Sequence, residues 1–477
     1  MDLRKILGFA FGPIAGAAFG LITVPLVAWA FGADDVGRLN ILLVTQSFCL
    51  LLVVLGLDQA YVREFHESKD RARLLKACVA PGFVCLLLGA ALTIPFRREL
   101  SNLLYGASDS IFFWLTLATV FAVFLSRFLS LILRMQERGL AFSMSQVIPK
   151  VLLLLLLGGV VLVDLPRSFR VLLWVSFLST LAVAAVYAWN TRGSWLPALA
   201  ARLERDEVKS LLAFGFPLIF SGLAFWGLAA AATIALRTWS TLDDLAIYSV
   251  ANSFAGAAVV LQSIFTVVWA PTVYKWSSQG VDMRLVDRVA LQILALIGVF
   301  LALCGVFSWV CDWLLPPHYA DVKYLVPCMM MQPLLYTLSE VTCVGIAIQR
   351  RTIWTVWITL AAMAANMLLC MLLVPRYGAT GAAVANAVAF TVFFVARTEV
   401  SARIWRPFPR AQLYPAVLVF VGLAVAMAFW GGKAPILAHA IWGMLFVVLL
   451  YVFRDQWRSV LDFVKRSRLQ TSQDAGA

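Results

Sequence analysis

Fourteen apolar runs, each about 20 residues long, divide the chain almost end to end. They begin near Ile6, Leu39, Ala77, Ile111, Leu140, Phe169, Leu211, Leu242, Val286, Val322, Ile353, Ala379, Leu413 and Ile436. About 20 apolar residues in a helix are enough to cross the hydrocarbon of a bilayer. Inside hydrocarbon every peptide N–H and C=O needs a partner from the protein, so such runs must be helical unless they close into a barrel. Barrel strands alternate polar with apolar positions, and these runs do not. Only 13% of the residues are charged and 62% are hydrophobic, against roughly 25% and 45–50% in soluble domains. The expected fold is an all-α integral membrane protein with about 14 transmembrane helices.

The net charge of +13 would suit nucleic acid if it were clustered, but the cations lie in short links between apolar runs. No nucleic-acid partner is expected. With the N-terminus placed inside, the outer links hold Arg38, Arg97, Arg98, Arg167, Arg170, Arg237, Lys323, Arg376 and Lys433, and the inner links about three times as many cations. Both termini are therefore expected in the cytoplasm.

Two stretches repeat. Asp34-Asp35 opens "DDVGRLNILLVTQSF" and Asp243-Asp244 opens "DDLAIYSVANSFAGA", an offset of 209 residues. "SRFLSLILRMQER" from Ser126 matches "SEVTCVGIAIQRR" from Ser339 at an offset of 213. The expected organisation is two pseudo-symmetric six-helix lobes, 1–195 and 211–405, joined by a cytoplasmic connector at 196–210. Helices 13 and 14 (406–455) and a cytoplasmic tail (456–477) follow. The paired aspartates read as a repeated helix-capping turn.

Ionisable groups within apolar runs are expensive and usually face a bundle interior or a watery cavity. Arg127, Ser130 and Arg134 share one face of the fourth run, and Ser143, Gln146 and Lys150 share one face of the fifth, joined to it by a short turn. Lys150 lies about 15 Å into its helix, too deep to reach the surface easily. Glu340 in the tenth run matches Arg127 through the repeat. These two either close a gate between the halves or leave Glu340 to pair within its own half. Arg397, on a stripe with Asn386, is expected to snorkel. Asn252 and Gln262 offer neutral hydrogen-bonding groups to a cavity. From "LGLDQAYVREF" (Leu55–Phe65) onward, Arg63, Glu67 and Arg71 form a charge ladder at the membrane surface. Asp58 lies deeper, on a face with Tyr61, and with Glu340 and Arg397 is a candidate for gating or ion coupling.

The eight cysteines and three histidines form no metal-ligand spacing, so no metal is expected and the cysteines read as packing groups. No phosphate-binding loop, HExxH or GxSxG stands in a suitable context. No cofactor and no catalytic constellation are expected.

"FGPIAGAAFGLITVPLVAWAFGADDVGRLN", "LGLDQAYVREF" and "LLVPRYGATGAAVANAVAF" resemble the multidrug/oligosaccharidyl-lipid/polysaccharide exporter superfamily, in particular its polysaccharide (O-antigen-type) flippases. That resemblance implies a bacterial inner-membrane transporter working by alternating access. It implies as cargo an undecaprenyl-diphosphate-linked oligosaccharide, an O-antigen or exopolysaccharide repeat unit. It also implies membrane lipids and the pathway's polymerase and chain-length proteins as partners. Helices 13 and 14 are expected to groove the lipid tail. The first helix lacks the arginine expected of lipid II flippases, which counts against a peptidoglycan precursor. Arg127, Arg134 and Lys150 would meet the diphosphate, and Gln146, Asn252 and Gln262 the sugars. A cation-coupled multidrug exporter of the same superfamily is the main rival, with Asp58 and Glu340 as its acids. A polytopic polymerase or ligase is a weaker one.

Overall fold

The computed structural model describes residues 3–65, 68–136, 139–164, 166–279, 284–349 and 353–454, together with 282, 351 and 456. Among them every regular element is helical, numbered here α1 to α19. Nine helices are long and apolar enough to cross a bilayer, and the bent pair α11 (Leu242–Phe254) and α12 (Gly256–Ser278) makes a tenth crossing. Helix α17 (Ile353–Ile404) is broken at Gly378, whose φ of 49° and ψ of −126° no helix accommodates, so it crosses twice. Helices α1 (Leu3–Ala30), α7 (Gly139–Leu162) and α15 (Val322–Thr342) supply the other three, giving the fourteen crossings of an all-α membrane protein.

Crossing α15, the run that begins at Val322, is among the less apolar ones, and packing explains how it can be. Seventeen of its 21 residues are buried, so almost no face meets lipid and its Gln332, Ser339 and Glu340 are enclosed by protein. At the other extreme α19 (Pro435–Val452) presents Ile436, Met444 and Val447 fully outward.

By contact density the chain forms two compact units, Met1–Gly256 with Met367–Ala382, and Ala257–Asn366 with Ala383–Ala477. In the first unit α1 packs along α7, α6 (Ser110–Met135) along α8 (Phe169–Asn190), and α2 (Ala33–Val54) along α11. In the second unit α13 (Leu285–Phe307) packs on α15 and α19, and α15 on α18 (Arg410–Trp430). Helix ends are capped where the chain leaves hydrocarbon: Asp70 accepts from the N–H groups of Ala72 and Arg73, and Asp109 from that of Ile111.

The aspartate pairs do more than cap their own turns. Asp244 accepts the backbone N–H of Ala379 at 3.3 Å, just past the Gly378 break, and Asp35 lies beside Phe169, which opens α8. Asp35 and Asp244 stand 209 residues apart, and Phe169 and Ala379 stand 210 apart. The second crossing of each repeat thus meets the start of the sixth at its aspartate pair, with a hydrogen bond in the second repeat. The repeats also touch each other. Asn40 on α2 donates to Ser249 on α11, again 209 residues apart, and Gly37 gives the Leu242 carbonyl room to approach α2.

Candidate functional site

The second crossing is not one straight helix. Leu55 and Gly56 both take left-handed backbone (φ 54° and 69°), ending α2 and starting a short α3 at Leu57–Glu64. Gly56 is required twice over, because a Cβ there would overlap the Gly215 carbonyl oxygen of α10 (Arg205–Trp239). Helix α3 then buries Leu57, Ala60 and Tyr61 against a core that includes Phe65, Leu74, Phe124 and Phe128. That burial fixes the rotation of α3 and holds Asp58 in its first turn, 7% exposed.

Arg127 reaches Asp58 from α6, where it stands between the buried rings of Phe124 and Phe128. Its Nε (3.2 Å) and Nη2 both donate to Asp58 Oδ2. Oδ1 accepts the Gln59 backbone N–H at 2.9 Å, and the Gln59 side-chain amide donates to Oδ2 at 3.2 Å. The pair opens on a cavity of about 370 Å³ bordered also by Ser47, Leu51, Val54 and Ile219. The Asp58 side chain is 10% exposed and that of Arg127 42%. Because both donating nitrogens converge on one carboxylate oxygen, the guanidinium keeps donor capacity toward the cavity. A second anion, a phosphate above all, suits that remaining edge.

Arg127 and Glu340 each take a partner within the same unit. Glu340, expected as either a gate partner of Arg127 or a local ion-pair member, binds Arg397 Nη1 at 3.1 Å. Arg397 is a correction: it does not snorkel but is 7% exposed, donating also to Ser339 (2.8 Å) with its guanidinium carbon 5.0 Å from the Phe393 ring centre. A buried arginine on a span has no route to water, so it takes a carboxylate and aromatic faces instead. Asn386, on the same stripe, donates to Gln332.

The expected meeting of the Arg127 and Lys150 stripes is not what holds either residue. Lys150 donates to the Gly16 carbonyl of α1, where Gly16 and Gly20 leave space for its alkyl stem and ammonium. Arg134 is exposed near the end of α6, Asn252 is exposed near the end of α11, and Gln262 is half-buried on α12. The side chains of Gln146 and Ser143 lie outside the described residues, as does Glu67 of the charge ladder. The cavity's other polar members, Ser47 and Gln59, were missed in the sequence. Gly56 in "LGLDQ" was the available signal for a break that turns these groups inward. Among the described residues no cluster of three or more His, Cys, Asp or Glu is placed to hold a metal.

A family model described as "Polysaccharide biosynthesis protein" matches residues 3–277, more than half of the chain. The chain belongs to that family. No curated protein sequence matches it. Among solved structures, the "Lipid II flippase MurJ, inward closed conformation" superposes with a TM-score of 0.68 at 11% identity, covering 95% of this chain and 99% of that one. An inward-facing "multidrug resistance MATE family transporter of the MOP superfamily" superposes at 0.59 and 14% identity, covering 85% and 96%. At these identities the likeness is one of fold. This member of the polysaccharide biosynthesis family is thus a multi-pass membrane protein whose fold is similar to those of these two solved membrane proteins.

Proposed function

We propose that the protein carries a polyprenyl-diphosphate-linked oligosaccharide from the cytoplasmic to the opposite leaflet of a bacterial inner membrane by alternating access. The observation that carries this reading is the cavity arginine: Arg127 faces an open chamber in the membrane while only part of its donor set is taken by Asp58. A diphosphate headgroup cannot enter hydrocarbon unaided, and a guanidinium in a low-dielectric chamber binds phosphate oxygens strongly. The carboxylate of Asp58 holds the guanidinium when the chamber is empty, sparing the membrane interior a bare charge.

In this scheme the lobes 1–195 and 211–405 rock about the seam at Asn40 and Ser249, both termini face the cytoplasm, and 406–455 guide the polyprenyl tail. Arg134 and Lys150 add positive potential along the path, while Gln146, Asn252 and Gln262 offer hydrogen bonds to sugar hydroxyls. Asp58, Glu340 and Arg397 govern gating or coupling. Polymerase and chain-length proteins would take the cargo onward. An O-antigen or exopolysaccharide unit suits the family's name better than a drug cation, since the chamber's one acid, Asp58, is already paired while Arg127 is the more exposed partner.

The test is genetic and chemical together. Deletion should abolish surface polymer and leave lipid-linked oligosaccharide on the cytoplasmic leaflet, and Arg127→Gln should reproduce this at normal protein abundance. Full surface polymer in both Arg127→Gln and Lys150→Met strains would reject the assignment.

A further inference from the structure

Away from the ion-paired chamber, a second and larger cavity of about 690 Å³ lies between α2, α10 and the short helix α5 (Arg97–Tyr105). Its walls are single helix faces: Ile41, Thr45 and Phe48 on α2, and Trp226, Thr233 and Arg237 on α10. Trp226 closes the floor, donating its indole N–H to Ser47 at 3.0 Å and packing on Phe48 with ring centres 4.6 Å apart. From Trp226 to Arg237 the helix rises about 16 Å, close to half of a bilayer's hydrocarbon of about 30 Å. The cavity is thus one leaflet deep. Leu103, 69% exposed, and Ile234, 39% exposed, flank its side opening, so that opening meets lipid rather than protein.

The mouth carries charge. Arg237 donates from Nε to the Leu104 carbonyl at 2.9 Å and from Nη2 to that of Asn102, capping α5 from a neighbouring helix. Carbonyls do not cancel its charge, and among the described residues no carboxylate pairs with it. At the same end of the unit Arg38 pairs with Asp34 and Asp35, Arg167 with Asp164, and Arg170 with Asp109. Arg237 alone of these four has no acid, and it stands where a lipid in the groove would place its headgroup.

We propose that this groove binds an anionic phospholipid of the leaflet on the side of the aspartate pairs, with an acyl chain between α2 and α10 and the headgroup phosphate at Arg237. The occupant follows from the combination of an apolar slot one leaflet deep, an opening to the bilayer and an unneutralised guanidinium at the interface. Bound there, the lipid fills the gap between α2 and α10 in that half of the membrane.

The purified full-length chain, titrated in detergent with dioleoyl phosphatidylglycerol or dioleoyl phosphatidylcholine, reports bound lipid by native mass spectrometry. Wild type should retain phosphatidylglycerol about tenfold better, the loss expected on removing one charge-assisted phosphate contact. Arg237→Gln should erase the preference while leaving phosphatidylcholine binding. Thr45→Trp, which fills the slot without touching the α5 cap, should lower retention of both. Equal retention of the two lipids by wild type overturns the proposal, as does unchanged retention in Thr45→Trp. Complete displacement of phosphatidylglycerol by equimolar undecaprenyl phosphate would assign the groove to a polyprenyl lipid and equally overturn it.

Discussion

Breaking the Asp58–Arg127 pair should be asymmetric, because its two members differ in exposure. A fully buried pair that loses one partner is destabilised by about 3–5 kcal/mol, and an exposed pair by about 0–1 kcal/mol. Asp58 belongs near the buried limit at 10% side-chain exposure, while Arg127, 42% exposed, can turn to water in the chamber. Arg127→Gln strands the carboxylate, which keeps only its two Gln59 contacts. We expect a loss of about 2–3 kcal/mol from it. Asp58→Asn strands a guanidinium beside a cavity and should lose about 1 kcal/mol. The double substitution should cost less than the sum, with a coupling of about 1–2 kcal/mol. Equilibrium unfolding of the purified chain in mixed micelles, read by tryptophan fluorescence, gives all three values. Equal single losses, or a double loss equal to the sum, would refute the reasoning that burial of Asp58 makes Arg127 its required partner.

Gly56→Ala should destabilise by about 3 kcal/mol in the same assay, from the left-handed backbone and the overlap with the Gly215 carbonyl; a loss below about 1 kcal/mol would show that α3 and α10 separate freely. Glu340→Gln should cost about 3–5 kcal/mol, more than Asp58→Asn, since Arg397 is only 7% exposed. Asp244→Ala should cost about 1 kcal/mol and raise amide exchange at Ala379. The Asp109 carboxyl is held below its ordinary value, first by the Ile111 N–H and then by Arg170. A depressed carboxyl stabilises above its unfolded-state pKa and loses that contribution as the pH falls through its folded value. Asp109→Asn should therefore lower the unfolding temperature at neutral pH, and the difference from wild type should close on strong acidification.

Run length and composition made the fourteen helical crossings legible, because the demand that hydrocarbon places on backbone groups acts locally. The aspartate pairs were legible as repeated turns, but the tether from Asp244 to Ala379 joins residues more than 130 positions apart and leaves no local pattern. Arg397 shows the same limit. Its depth and helix face were readable, yet whether it reached the surface or a carboxylate depended on α15 being wrapped by protein. The site was half legible: Asp58 and Arg127 were each singled out as candidates. Their union was missed, because the break at Leu55–Gly56 re-aims the helix that carries Asp58.

By itself the sequence determined that this chain is a helical membrane protein, built twice from related parts, with a few costly charges on its spans. Those properties follow from chain-local physics: hydropathy, helical period and the sign of the links. Tertiary structure alone decided which charge neutralises which, since a carboxylate and a guanidinium choose partners by distance and dielectric rather than by spacing along the chain. It also decided that Asn40 and Ser249 meet across the seam between repeats, and that Arg127 is left facing a chamber with donors to spare.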